Sequence, residues 1–344
     1  MRLLVAAILV AALAAETAPV PASDLPPALR ALLSKEFRFS PGDLADLDKG
    51  KVVARRFSST AAGEVGAAGA VRVKARKEAF VGLYRDIVQF KRGPDVVAIG
   101  LFSNPPSVAD LALLPLDTDD VDLRSCRVRD CDIRLPAATI LRFQHDVDWS
   151  APHADARAAA LFKETLADHV RAYMTGGAGL ITQYDDGKRP VRPMDDFSGL
   201  LKGSPYVDML RPGLSGHLEA FSSRPLAGAE DIVYWSKEKF GSLAPFVTVT
   251  HVVITQPDPA NYVIASRDVY SSRYFDASLS LTIASDAAAS PDAFYLVYVN
   301  RSRADALKGA FSGFRRSIVE RRARASLEEN LRLTKIRLEG SAGK

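Results

Sequence analysis

The chain has 344 residues, of which 47% are hydrophobic and 25% charged, and its formal net charge is +4. That composition belongs to a globular protein and excludes disordered, collagen-like and cysteine-stapled chains. A chain of this length can bury a core without metals or many disulfides, and no nucleic-acid motif accompanies its mild positive charge.

The first residues have the three parts of a secretory signal. Arg2 supplies the positive start, residues 3–12 a short apolar run, and Ala12-Leu13-Ala14 a small-x-small cleavage site, with Val20-Pro21-Ala22 as a later alternative. The run is too short to span a bilayer comfortably. No cysteine follows the cleavage site to carry a lipid. The expected protein is therefore exported, periplasmic or extracellular, with residues 1–14 a signal peptide and residues 15–25 a disordered Pro/Ala-rich leader. Residues 26–340 read as a single α+β domain.

Two short helices are predicted first, over residues 26–37 and from Ser40-Pro41 to Leu47, where serine and proline fit an N-cap and first helical position. Residues 51–57 and 65–74 read as strands, residues 77–90 as a helix with Phe80, Leu83, Tyr84 and Ile87 on one side, and residues 95–102 as a buried strand. From about 104 to 228 the pattern changes to a largely helical insertion. Its longest helix runs over residues 154–174 and ends at a glycine signal. Cys126 and Cys131 lie inside it, and in an oxidising compartment so close a pair is expected to form a structural disulfide.

Strands return over residues 246–255, 262–270, 275–283 and 294–300. In the third of these, Phe275, Ala277, Leu279, Leu281 and Ile283 alternate with Asp276, Ser278, Ser280 and Thr282. Short polar connections predict antiparallel neighbours. A helical region fills residues 304–338, broken near Gly309 and Gly313. Leu307, Phe311, Phe314, Ile318, Ala325, Leu333 and Ile336 make its apolar stripe, and Leu327, Leu331 and Leu338 form a second set on nearly the opposite side. From Arg301 to Arg337 there are eleven Lys/Arg against four Asp/Glu. Such a run suggests a basic surface suited to an anionic membrane rather than to nucleic acid.

This order, strand then helix, a run of antiparallel strands, and a long last helix, resembles the START-like (SRPBCC, helix-grip) superfamily over residues 51–103 and 230–340. The resemblance is one of element order, carried by residues 71–90 and 246–338. It implies a curved antiparallel sheet packed on the C-terminal helix, with a hydrophobic cavity between them.

Nucleophile motifs are missing: Gly213-Leu214-Ser215-Gly216-His217 is not a nucleophile elbow, and Ser236-Lys237-Glu238-Lys239 lacks its companion segments. The five histidines show no H-E-x-x-H spacing; His145-Asp146-Val147-Asp148, with His153 nearby, could place ligands on a loop but reads better as caps and solvated turns, so no metal and no cofactor are assigned. Three polar residues interrupt apolar patterns: His251 shares a strand face with Val247, Val249 and Val253, and Arg322 and Glu329 sit in the apolar stripe of the last helix. Unpaired burial of either charge would cost several kcal/mol. A cavity with a few polar anchors would suit all three, and they are the candidate ligand-binding residues. The expected function is binding or carrying an apolar or amphipathic, lipid-like molecule in a sheet–helix cavity. One alternative is an extracytoplasmic hydrolase or cyclase-like enzyme using His251 with Asp268 or Glu329. Another is an envelope-surface protein.

Overall fold

The computed structural model describes residues 23–57, 63–116, 122–176, 181–239, 241, 243–304, 307 and 312–341, with the side chains of 312–319 and 341 outside that description. The expected signal peptide, at residues 1–14, and its alternative cleavage site at 22 lie outside the described residues. The last residues of the expected leader are built into the fold. Leu25 is buried, and the Asp24 carboxylate is paired with Arg72 and accepts from the Ser290 hydroxyl at 2.7 Å.

Pro27–Lys35 (α1) starts on proline and buries Leu29, Leu32 and Leu33. Ser40 caps Pro41–Asp48 (α2) in a reciprocal box: its hydroxyl accepts from the Asp43 amide, and the Asp43 carboxylate accepts from its own. Val53–Phe57 (β1) and Glu64–Val73 (β2) follow. The expected helix over 77–90 is two helices, Lys77–Arg85 (α3) and Ile87–Phe90 (α4). Between them Asp86 leaves the helical region and caps the second with its side chain. Val96–Leu101 (β3) comes next. Its continuous apolar run reads as a buried strand, but it lies at the sheet edge with Val97 and Leu101 about half exposed.

The insertion is helical as expected: Ala137–His145 (α5), Ala154–Gly176 (α6), Pro193–Lys202 (α7), Tyr206–Leu210 (α8) and Leu214–Glu219 (α9). Within it Cys126 and Cys131 are disulfide-bonded, with their Cα atoms 4.3 Å apart. Glu230–Glu238 (β4), Phe246–Asp258 (β5), Asn261–Ser271 (β6), Ala277–Asp286 (β7) and Phe294–Arg303 (β8) complete the sheet, and Ser312–Ser341 (α10) follows.

Among the described residues the eight strands form one curved, unclosed sheet in the order β1-β2-β8-β7-β6-β5-β4-β3, with every neighbouring pair antiparallel. Side chains alternate between its faces. One face, the insertion face, packs Leu279, Leu281, Ile283, Val297 and Val299 against α1, α2, α7, α8 and α9. Farther along the same face, Val233, Trp235, Val247 and Val249 pack against α5 and α6. A charged network ties α7 to this face. Glu64, 1% exposed at its side chain, pairs with both Arg301 and Arg303, and Arg303 also reaches Asp196 at 3.3 Å.

On the other face, α10 lies over β2 and β1. It buries Leu327, Leu331 and Leu338 and leaves Leu333 and Ile336 exposed by 50% and 54%. The face expected to be buried is thus turned outward, and the second apolar set is the one used. Gly69 explains the choice. A Cβ there would lie 2.7 Å from Leu331 Cδ1 and 3.0 Å from Leu327 Cγ, so the glycine opens the slot that seats these leucines. Of the rest of the expected stripe, Ala325 is exposed and Leu307 is buried ahead of the helix; the Phe311, Phe314 and Ile318 side chains lie outside the described residues.

Candidate functional site

The three sequence-derived candidates do not come together. Arg322 and Glu329 are exposed on α10, where Glu329 pairs with Arg332 at 2.6 Å rather than lining a cavity. The helix turns these charges to solvent because its opposite stripe is the one in the Gly69 slot. His251 is completely buried on the insertion face of β5. Asp268, paired in register with Thr250, points to the other face, so His251 and Asp268 cannot form the acid/base pair expected of an enzyme. The basic run is also smaller than its sequence suggests, because Arg301 is buried and Arg303 largely so, the two charges balanced by Glu64 and Asp196.

His251 has other partners. Its Nε2 lies 2.9 Å from Asp231 Oδ1 on β4, and its Nδ1 lies 2.8 Å from the Tyr173 hydroxyl at the end of α6. His217 on α9 brings its own Nε2 to the same carboxylate oxygen at 2.8 Å, while its Nδ1 lies 2.8 Å from the Arg224 carbonyl. The Phe221 ring covers both imidazoles, 4.4 Å from His251 and 5.3 Å from His217 between centroids. The cluster stands at the seam where the two helical layers of the insertion face meet.

Hydrogen-bond logic assigns the protons. Both acceptors around His217 lack a proton, so with no ion between them this ring donates from both nitrogens and carries charge. Burial opposes that charge, but Asp231 and the Arg224 carbonyl outweigh it and raise the His217 pKa. Burial pushes His251 the other way; Asp231 only partly offsets it, and the Arg267 guanidinium beside it adds to the effect. Asp231 itself stays ionised: burial disfavours its charge, yet hydrogen bonds and charge from both histidines hold its pKa at about 2. Arg267 is buried at 2% exposure with its guanidinium 4.2 Å from the Phe197 ring. It donates to the Leu218 carbonyl at 2.8 Å, has no hydrogen bond at Nε, and has no carboxylate within 4 Å among the described residues.

A second polar group lies on the opposite face, between α10 on one side and α3 and α4 on the other. There the strands β4–β8 present Tyr234, Ser236, Glu238, Thr248, Thr250, Ser266, Asp268, Ser278, Ser280, Tyr298, Asn300 and Ser302 in continuous register. They bond to one another: Thr250 Oγ1 donates to Asp268 at 3.0 Å, Asn300 Nδ2 to Ser280 at 2.9 Å, and Ser236 lies 3.0 Å from Thr248. Lys91, just after α4, reaches over this floor to Glu238 at 2.7 Å and the Tyr234 hydroxyl at 3.2 Å. Asp268 is partly exposed, yet burial pushes its pKa up to about 6 against the Thr250 hydrogen bond. Among the described residues it has no cation within 4 Å. Phe80, Tyr84 and Phe90 form an aromatic wall beside the floor, with centroids 4.9 to 6.0 Å apart.

A cavity of about 340 Å³ lies elsewhere, between the insertion and the ends of β4 and β5, lined by Leu123, Ile133, Phe162, Phe246, Arg124 and Lys237 among others. Neither the His217–Asp231–His251 cluster nor the polar floor was assembled by sequence reasoning. No spacing links the three cluster residues, and the floor reads along each strand as ordinary solvent-facing polarity. No family model matches the chain, and no curated protein or solved structure matches it either.

Proposed function

We propose that this is an exported protein that binds an amphipathic small molecule on the polar face of the sheet, in what we call the groove between α10 and α3–α4. The molecule's polar end rests on the hydroxyl-rich floor of β4–β8 and its apolar part against the half-buried Tyr84 and Phe90, which the buried Phe80 backs. The observation that supports this reading is Asp268. A face meant only for packing would be apolar, and one meant only for bulk water would not raise a carboxyl to about 6. A partly dried carboxyl with spare hydrogen-bonding capacity, surrounded by hydroxyls and flanked by Lys91 and Glu238, suits a ligand rich in polar oxygen or nitrogen atoms. The element order that resembles START-like proteins, where a ligand lies between sheet and last helix, points the same way. The disulfide and the signal-like start are both consistent with export.

The test is native mass spectrometry of the protein purified from the organism that makes it, followed by solvent extraction. The expected result is a co-purifying amphipathic molecule that Asp268→Asn fails to retain. A protein of bare sequence mass, together with no thermal shift against a panel of amphipathic ligands, overturns the proposal. A molecule kept by Asp268→Asn but lost on altering Phe162 would place binding in the 340 Å³ cavity instead.

A further inference from the structure

We propose that His217, Asp231 and His251 bind one divalent first-row transition-metal ion, such as Zn²⁺, through His217 Nε2, His251 Nε2 and Asp231 Oδ1. The site is on the opposite face of the sheet from the groove, so either proposal can fail without the other.

Geometry is the first support. The three donor atoms lie within 4.8 Å of one another, and both nitrogens are 2.8–2.9 Å from the same carboxylate oxygen. An ion about 2.0–2.2 Å from nitrogen and oxygen donors needs neighbouring donors about 2.9 Å apart in octahedral and about 3.4 Å apart in tetrahedral geometry. The two histidine–carboxylate separations meet the first spacing as they stand and the second after a shift of a few tenths of an ångström, and the two nitrogens lie within 4.8 Å of each other.

The second support is the way the rings are held. Metal-binding histidines use the far nitrogen to donate to a fixed oxygen, which sets the tautomer and aims the lone pair at the ion. Here the far nitrogen of each ring is 2.8 Å from an oxygen, the Arg224 carbonyl for His217 and the Tyr173 hydroxyl for His251. Loading requires the proton of each ring to sit on Nδ1, where these oxygens accept it.

Surroundings supply the third. Both imidazoles are buried under Phe221, while the Asp231 side chain is 26% exposed and opens the site to solvent. The donors come from α9, β4 and β5, so the constellation exists only in the folded chain. Two imidazoles and one carboxylate suit zinc, iron(II) or cobalt rather than calcium or magnesium, which prefer all-oxygen ligands. Three protein ligands leave at least one position for water or substrate. The competing reading is a carboxylate bridging two imidazoles by hydrogen bonds alone, with both Nε2 atoms protonated.

The experiment is a titration of chelator-stripped full-length mature protein with Zn²⁺ by calorimetry and with Co²⁺ by visible absorption. The expected result is one ion per chain and a Co²⁺ ligand-field spectrum. Affinity should fall roughly 100-fold or more in Asp231→Ala and in His217→Ala, and about 10-fold in Tyr173→Phe. The exposed pair His145→Ala and His153→Ala should leave it unchanged. A lack of stoichiometric uptake, or uptake that survives in both ligand variants, overturns the proposal. If the variants misfold, nitrogen NMR of the wild type decides: Zn²⁺ must shift the Nε2 resonances of His217 and His251, and unmoved resonances overturn the site.

Discussion

Along β7 the two faces of the sheet are one residue apart and chemically opposite. Leu279, Leu281 and Ile283 are buried under the insertion helices, while Ser278, Ser280 and Thr282 face the groove side. On β8, Val297 and Val299 alternate in the same way with Tyr298, Asn300 and Ser302. The insertion face holds its strands by packing and by the Glu64–Arg301–Arg303–Asp196 charge network, and it also buries Arg267 and the two histidines that share Asp231. The groove face keeps hydroxyls, an amide and the Asp268 carboxyl, which hydrogen-bond to one another.

Removing the charge at the centre of the insertion-face network should have the largest effect. Glu64→Gln leaves Arg301 and Arg303 buried without their shared carboxylate, and we expect a loss of about 3–5 kcal/mol by chemical denaturation. A loss below about 1 kcal/mol would mean that water or another acid takes over the arginines.

On the groove face the sign reverses. The folded-state pKa of Asp268, about 6, lies above its ordinary 3.8, so the folded chain holds this proton more tightly than the unfolded chain. Its contribution to stability is full below pH 3.8 and falls as pH rises to 6, by at most about 3 kcal/mol. Asp268→Asn should flatten that slope and stabilise the protein at pH 7 by roughly 1–3 kcal/mol, read as a difference between wild-type and variant melts across pH 4–7. An unchanged slope would show that Asp268 is well solvated.

A smaller effect tests how α10 is seated. Gly69→Val puts a side chain into the slot of Leu327 and Leu331 and should cost about 1–3 kcal/mol, with faster hydrogen exchange along residues 320–340. Protection that persists in α10 would mean that the helix is held by contacts other than these leucines. The smallest effect is expected from Arg322→Ala and Glu329→Ala. Both residues are exposed, so stability should change by less than about 0.5 kcal/mol and ligand retention should not change. A loss of retention in either variant would return α10's outer face to the binding site.

Much of the fold was legible because the relevant signals are local. The alternation in β7, the serine–proline start of α2 and the length of α6 follow from period and capping alone. Three features were hidden. The strand β4 was not read at all, since Ile232-Val233-Tyr234-Trp235 is a short apolar run between Glu230-Asp231 and Lys237-Glu238-Lys239. Missing that strand also hid Asp231, which sets the geometry of the histidine cluster. The choice between two apolar stripes on α10 depended on Gly69, more than 250 positions away. His251 stood out because a polar ring interrupts a row of valines, but its partners His217 and Tyr173 come from helices whose docking no periodicity reveals.

The sheet does not close, and β3 leaves one border open, with Val97 and Leu101 about half exposed. Val96-Val97-Ala98-Ile99-Gly100-Leu101 is uncharged and free of proline, so by composition it could template the strand of another molecule. Its flanks act as gatekeepers: Arg92, Pro94 and Asp95 precede it, and Asn104-Pro105-Pro106 follow. Prolines lack the amide that a growing ladder needs, so any intermolecular pairing is confined to a six-residue stretch. A substitution that removed Pro94 or Pro105 would lengthen this sticky border, and its cost would appear in solubility before it appeared in the melting temperature.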